Sequence, residues 1–283
     1  MHFIIHSPAM LPLRRAIIIL LPLLQTFFVV VGLHFQNIYV FPLLQTDFFA
    51  VDFKFQNIYA YSAIAGLIVS DVLIALFFKN SISRSKIFWY ALPPLLLYCS
   101  AVLALMIVEE SYLIGSIICT HALFQWLYLI NLYFFLYKKE RYQERSFLQM
   151  TMSLHTLSFL FFSIAAFGLI YYVDYSTFIV IIPVCFLGAV GFAQQLVIGG
   201  FDIRQYWRFL GIQTLIIAEI MLVISWFPSP YLTKAFFLTV PLFLSCQLGY
   251  PALRKELDNR FLLHTILLTV CVVLLVVMTT RWR

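Results

Sequence analysis

Apolar positions along this chain come in long uninterrupted runs instead of alternating with polar ones. Phe261 to Met278 is the clearest example, broken only by His264 and two threonines. Runs of about 20 apolar residues match the length of a helix crossing a bilayer. Membrane barrels need strict apolar–polar alternation, which these runs lack. The pattern predicts an all-α fold, a polytopic transmembrane helix bundle of about nine spans. They cover Arg15–His34, Gln56–Phe78, Ile87–Val108, Tyr112–Tyr137, Phe147–Val173, Thr177–Gly200, Phe209–Phe227, Tyr231–Tyr250 and Phe261–Thr279.

The polar connections are of two kinds. One set is basic: Arg14-Arg15; Lys79, Arg84 and Lys86; Lys138, Lys139, Arg141 and Arg145; Arg204 and Arg208; and Arg254, Lys255 and Arg260. The other set is short and poor in positive charge: Glu109-Glu110-Ser111, Asp174-Tyr175-Ser176 and Pro228-Ser229-Pro230. Basic loops stay in the cytoplasm, so the amino terminus is expected there, in the plasma membrane. Arg281 and Arg283 run against an outside carboxyl terminus and leave its side open. Trp89, Tyr90, Tyr137, Tyr206 and Trp207 are expected at the inner interface, and Tyr112, Tyr171, Tyr172, Trp226, Tyr231 and Trp282 at the outer one. Connections this short leave no room for a soluble domain, so residues 1–283 are expected to form a single membrane-embedded domain. Arg14-Arg15 before an apolar run resembles a secretory signal, but no small-residue cleavage site follows, which favours an uncleaved first helix. Met10 lies just before that pair, so translation is open between Met1 and Met10.

Composition agrees. The chain is 63% hydrophobic and 11% charged, with a mean hydropathy of +0.98, against about 25% charged for a soluble domain. Lipid must therefore be the main solvent and partner. The net charge of +6 is spread between the spans, which argues against a nucleic-acid partner. Five cysteines fall inside apolar runs with no C-x-x-C pair, and are expected to be small buried hydrophobes.

Positions 22–41 and 42–61 are a tandem duplication, identical at 12 of 20 positions without a gap. The second copy has gained charge at Asp47, Asp52 and Lys54. Its apolar stretch is too short to span, so 36–55 is expected to be an outer interfacial loop.

Chemistry is sought among polar groups at membrane depth, where an ionisable side chain is costly and asks for a partner or a job. The candidate intramembrane site comprises Asp71, His121, Gln125, His155, Gln194, Gln195 and Glu219. His121 and Gln125, four apart, share a helix face. Their depths allow a polar path from Asp71 and His155 through Glu219 toward His121, with Glu219 pointing into the bundle. Such a path suits a small-solute or ion transporter. The more ordinary reading of the same residues is interhelical hydrogen bonding, with both acids neutral. A haem held by His121 and His155 is excluded by depths about 12 Å apart. No cofactor, metal site or catalytic residue is expected: phosphate-binding glycine loops, HExxH and GxSxG are all missing. Gly188-x-x-Gly191 suggests close helix packing, and Pro93-Pro94, Pro183 and Pro241 suggest kinks. An alternative is a membrane enzyme acting on lipid-linked sugar. Polyprenol-phosphate-dependent glycosyltransferases of the C type keep an acid in the first outer loop, where Asp47 and Asp52 lie, but they add a sizeable loop or outer domain that this chain lacks. A structural or assembly subunit is the remaining alternative.

From Glu219 the chain continues through Ser225-Trp226-Phe227-Pro228, a span, a basic loop and a last span ending Thr279-Thr280-Arg281-Trp282. This stretch resembles uncharacterised small multi-pass membrane proteins of candidate-phylum bacteria. The resemblance covers Glu219 to the end. It implies a helical architecture and a bacterial origin, and assigns no catalytic residue.

The charge pattern makes one direct prediction. A cysteine replacing Tyr142 should resist a membrane-impermeant maleimide in intact cells and react once they are opened. Labelling from outside would reverse the orientation.

Overall fold

Apolar runs this long have one way to hide their backbone in lipid, which is to close every amide onto its own helix. The computed structural model describes residues 10–39, 64–70, 72–74, 84–137, 144–254 and 257–280, and among these there is no strand. The helices are α1 (Met10–Tyr39), α2 (Ile64–Ile74), α3 (Arg84–Leu105), α4 (Ser111–Tyr137), α5 (Glu144–Tyr172), α6 (Thr177–Ile198), α7 (Ile203–Ser225), α8 (Tyr231–Leu253) and α9 (Asn259–Thr279). Seven of them, α3 to α9, are long and apolar enough to cross a membrane; Arg15–Val31 within α1 and α2 itself are shorter apolar helices. The protein is thus an all-helical, multi-pass membrane protein. Helix α1 runs on to Tyr39, past the expected start of the interfacial loop at 36. The rest of that loop, with Asp47 and Asp52, lies outside the described residues.

The chain divides into two compact units, one of residues 1–102 and 111–142, the other of residues 103–110 and 143–283. In the first unit α1 packs along α4. Gln25 of α1 donates to Ser70 of α2 at 2.7 Å, and Tyr128 of α4 donates to the Tyr90 carbonyl of α3 at 2.8 Å. In the second unit α5 is the hub, packed most extensively on α8 and also on α6. Helix α7 closes on both α6 and α8, while α9 touches α8 and buries only Thr269. Phe147, Phe159 and Phe167 of α5 and Phe192 of α6 are fully buried. Lipid is as apolar as these rings, so van der Waals fit, not exclusion of water, holds them together.

The helix ends carry local signals that hydropathy does not. Helix α7 begins at Ile203, six residues before the apolar run, because Asp202 accepts the Arg204 amide at 3.0 Å. Asp258 caps α9 in the same way through Arg260. Helix α6 stops where Gly200 takes φ +82°, letting the Phe201 amide reach back to the Leu196 carbonyl at 2.8 Å. This six-to-one bond closes a left-handed C-terminus that suits glycine. Pro93, Pro94, Pro183 and Pro241 all lie within continuous helices.

Aromatic clusters finish both ends of the second unit. At one end Tyr171, Tyr172 and Tyr231 pack with ring centroids 5.0–6.2 Å apart. At the other, Phe201 meets Tyr206 and Tyr250. There Arg254 stacks on Tyr250 at 4.9 Å and donates to the Gly199 carbonyl at 3.3 Å. A β-branched residue is strained at positive φ, so Gly200→Val should lower stability by about 1–2 kcal/mol in thermal unfolding in detergent. No side-chain contact is at stake there, since a Cβ at Gly200 would meet nothing within 4 Å.

Candidate functional site

Many hydroxyl side chains in these helices settle their hydrogen bonds locally. Thr151, Ser158, Thr214, Thr239 and Ser245 each donate to the carbonyl four residues earlier, at 2.8–3.0 Å. Polar atoms of buried histidine and glutamine side chains, together with the Thr26 and Ser163 hydroxyls, are left without partners among the described residues.

In the second unit, His155 lies in the middle of α5 and is 1% exposed. Its imidazole occupies the space over Gly191 of α6 that a side chain would fill. Neither ring nitrogen has a hydrogen-bond partner among the described residues. One turn further along α6, Gln195 is buried, and neither atom of its amide has a partner. Gln194 beside it is also buried. The Cys246 thiol of α8, fully buried, approaches the Gln195 amide without closing a well-formed bond to it. Three helices therefore converge on a polar patch. Its neighbouring layer is apolar: Phe159, Leu242 and Ile217 close around Gly188, one turn from Gly191. Gln213 of α7 is a further buried amide, with Nε2 unpartnered.

The first unit repeats the device. The Tyr98 phenol of α3 sits against Gly66 of α2, and the His121 ring lies 5.8 Å from the Tyr98 ring between centroids. His121 and Gln125 are buried along one face of α4. The His121 Nε2 and both amide atoms of Gln125 lack partners among the described residues. Ser70 relays the Gln25 bond onto the Gly66 carbonyl at 2.6 Å.

The seven expected site residues thus distribute unevenly. His155, Gln194 and Gln195 come together in the second unit, and His121 with Gln125 in the first. Asp71 lies outside the described residues. Glu219 departs from expectation: it is exposed, on the face of α7 opposite Gln213, Ile217 and Met221, which are buried. The bundle holds it out because its inward places are taken by neutral groups. An acid at that depth facing lipid costs about 2.5–3.5 kcal/mol when charged. Cys246 was expected only as a buried hydrophobe, and its neighbours Ser245 and Gln247 do not signal that it meets Gln195.

Among the described residues no Asp, Glu, Lys or Arg is buried, and no group of three metal-ligating side chains assembles. A neutral imidazole offers one donor and one acceptor, and an amide offers both. The patch is therefore suited to an uncharged hydrogen-bonding group. No family model, curated protein or solved structure matches the chain.

The contact between His155 and Gly191 has a testable consequence. Gly191→Val should displace the ring and lower stability by about 1–3 kcal/mol. Adding His155→Ala should restore most of that loss, as a thermal-unfolding double-mutant cycle would reveal.

Proposed function

We propose that the protein carries a small uncharged polar solute across the membrane through its second unit, with His155 and Gln195 as the recognition pair. One observation carries this reading. His155 and Gln195 together present four unpartnered polar atoms in a fully buried, charge-free place where three membrane helices meet. Burying a polar group without a partner costs about 1–3 kcal/mol, so an interior evolved only for cohesion would fill these positions with apolar groups. A solute bearing both donor and acceptor would satisfy them. No Asp, Glu, Lys or Arg is buried among the described residues of this unit, which argues against a permanently ionic cargo, since an ion in hydrocarbon demands a counter-charge.

The orientation that goes with this reading has nine crossings, with the amino terminus in the cytoplasm of a bacterial plasma membrane. The alternation of basic and charge-poor connections supports it. Gly188 and Gly191 let α6 lie close against α5 and α8, and Pro183 and Pro241 weaken the backbone ladders of α6 and α8 where they would need to give.

Two readouts separate transport from cohesion. In proteoliposomes, a panel of radiolabelled neutral solutes such as urea, glycerol and small amides should include one whose flux exceeds that of protein-free vesicles. His155→Leu and Gln195→Leu should each cut that flux about tenfold or more. The same variants should unfold at equal or higher temperature than the parent, because they remove unpaired polar atoms. Loss of stability with unchanged flux would assign the pair to cohesion, and no flux above protein-free vesicles for any neutral solute would defeat the reading.

A further inference from the structure

The helices of the second unit run up and down, so its connections gather at two ends of opposite charge. At one end Tyr171 and Tyr172 of α5 meet Tyr231 of α8. Ile107 packs on Gly168, one turn from Tyr172, which brings Glu109 and Glu110 to this end. Both acids are exposed, as is Asp174, while Lys234 is committed to the Ser225 carbonyl at 2.9 Å. At the other end Arg145, Arg204, Arg208, Arg254 and Arg260 are all exposed. Asp202 and Asp258 are the acids described there, and each is turned to a backbone amide, that of Arg204 and that of Arg260. Counting Lys255, Glu144 and Glu256, whose side chains lie outside the described residues, basic residues still outnumber acids there. The Arg254 guanidinium is fixed in place, stacked on Tyr250 and donating to the Gly199 carbonyl. Phe201 ties Tyr250 to Tyr206 at the start of α7. Arg204 and Arg208 lie one turn apart on that helix, beside the exposed Trp207 and just before the apolar run that begins at Phe209.

We propose that Arg204, Arg208 and Arg254, at this end of the second unit, bind the headgroup phosphate of an anionic phospholipid. Depth selects a lipid. The three arginines stand at the start of α7 and the end of α8, next to Tyr206 and Trp207, at the level where headgroups meet hydrocarbon. Guanidinium groups present planar, forked donors that fit phosphate oxygens. Arg254 spends one N–H on the Gly199 carbonyl and keeps the others for a ligand. Its stack on Tyr250 holds the fork before a phosphate arrives, so less side-chain freedom is lost on binding. Charge selects the headgroup. A zwitterionic one brings an ammonium that the arginines repel, and the two described acids at this end already accept backbone amides. A headgroup with net negative charge brings no such cation. The opposite end, with Glu109, Glu110 and Asp174 exposed, offers an anionic lipid nothing comparable. The inference is independent of any cargo in the second unit and of which leaflet this end faces.

The test uses the full chain in a neutral detergent, with phosphatidylglycerol and phosphatidylcholine of identical acyl chains added in equal amounts. Native mass spectrometry should find phosphatidylglycerol retained about tenfold over phosphatidylcholine, and the preference should shrink as ammonium acetate is raised. Arg204→Gln combined with Arg208→Gln, both at exposed positions, should abolish most of the preference. Arg254→Gln alone should reduce it about threefold. Glu109→Gln combined with Glu110→Gln, at the opposite end, should leave it unchanged. Thermal unfolding in phosphatidylcholine checks that each variant is folded; if Arg254→Gln is not, the Arg204 and Arg208 pair decides. Equal retention of the two lipids by the parent would overturn the proposal. So would a preference that survives the arginine changes in folded protein, or one lost on changing Glu109 and Glu110. Displacement of the lipid by millimolar inorganic phosphate would also overturn it, assigning the arginines to a free anion.

Discussion

Hydrocarbon offers a polar group no solvent, so each one must be bonded by the protein or carried at a cost. Helices discharge this obligation for the backbone. Short hydroxyl side chains discharge it for themselves by bending back to the carbonyl four residues earlier, as Thr151, Ser158 and Thr239 do. Histidine and glutamine hold their polar atoms further from their own helix and depend on neighbouring ones. The constraint therefore sorts much of the interior: many serines and threonines vanish into the ladders, while His121, Gln125, His155 and Gln195 stand out as open groups, with the Thr26 and Ser163 hydroxyls as exceptions among the described residues. A site in such a protein is defined less by which residues are polar than by which polar atoms the helices leave unmatched.

Glycine decides where those open groups can be. In each unit a ring from one helix rests on a glycine of the next: Tyr98 on Gly66 in the first, His155 on Gly191 in the second. The aromatic or imidazole ring fills the space of the absent side chain, which brings the helices close enough to exclude lipid from the ring. Gly199 against Tyr250 and Gly168 against Ile107 use the same large-on-small fit. Packing of this kind stabilises by contact area, and it fixes the polar edge of His155 toward α6 without spending a hydrogen bond on it.

Much of this fold was legible in the sequence, because apolar runs bounded by charge have few alternatives. The runs over α3 to α6 and α8 to α9 coincide with helices to within a few residues. Helix α7 starts earlier than hydropathy suggests because its first turn, with Arg204, Gln205 and Arg208, is polar and the Asp202 cap sets its start. Burial of His121, Gln125, His155, Gln194 and Gln195 could also be anticipated, since polar residues in apolar helices turn inward. In α7 the phase was in fact available: at 100° per residue Arg204, Arg208 and Glu219 fall on one side of the helix, and all three are exposed. The role of Cys246 could not be read. It sits between Ser245 and Gln247, and that spacing does not say which of the three turns toward α6.

The position of Glu219 and the neutrality of the interior are two sides of one electrostatic choice. Gln213 and Glu219 are six residues apart on α7, which turns them about 120° from each other. Only one of the two can face α6 and α8, and it is the amide. An uncharged amide can be buried without a partner for about 1–3 kcal/mol, whereas a carboxylate in the same place would need a cation, and no Lys or Arg is buried among the described residues of this unit. Turning the acid outward keeps the interior free of charge and suited to neutral groups.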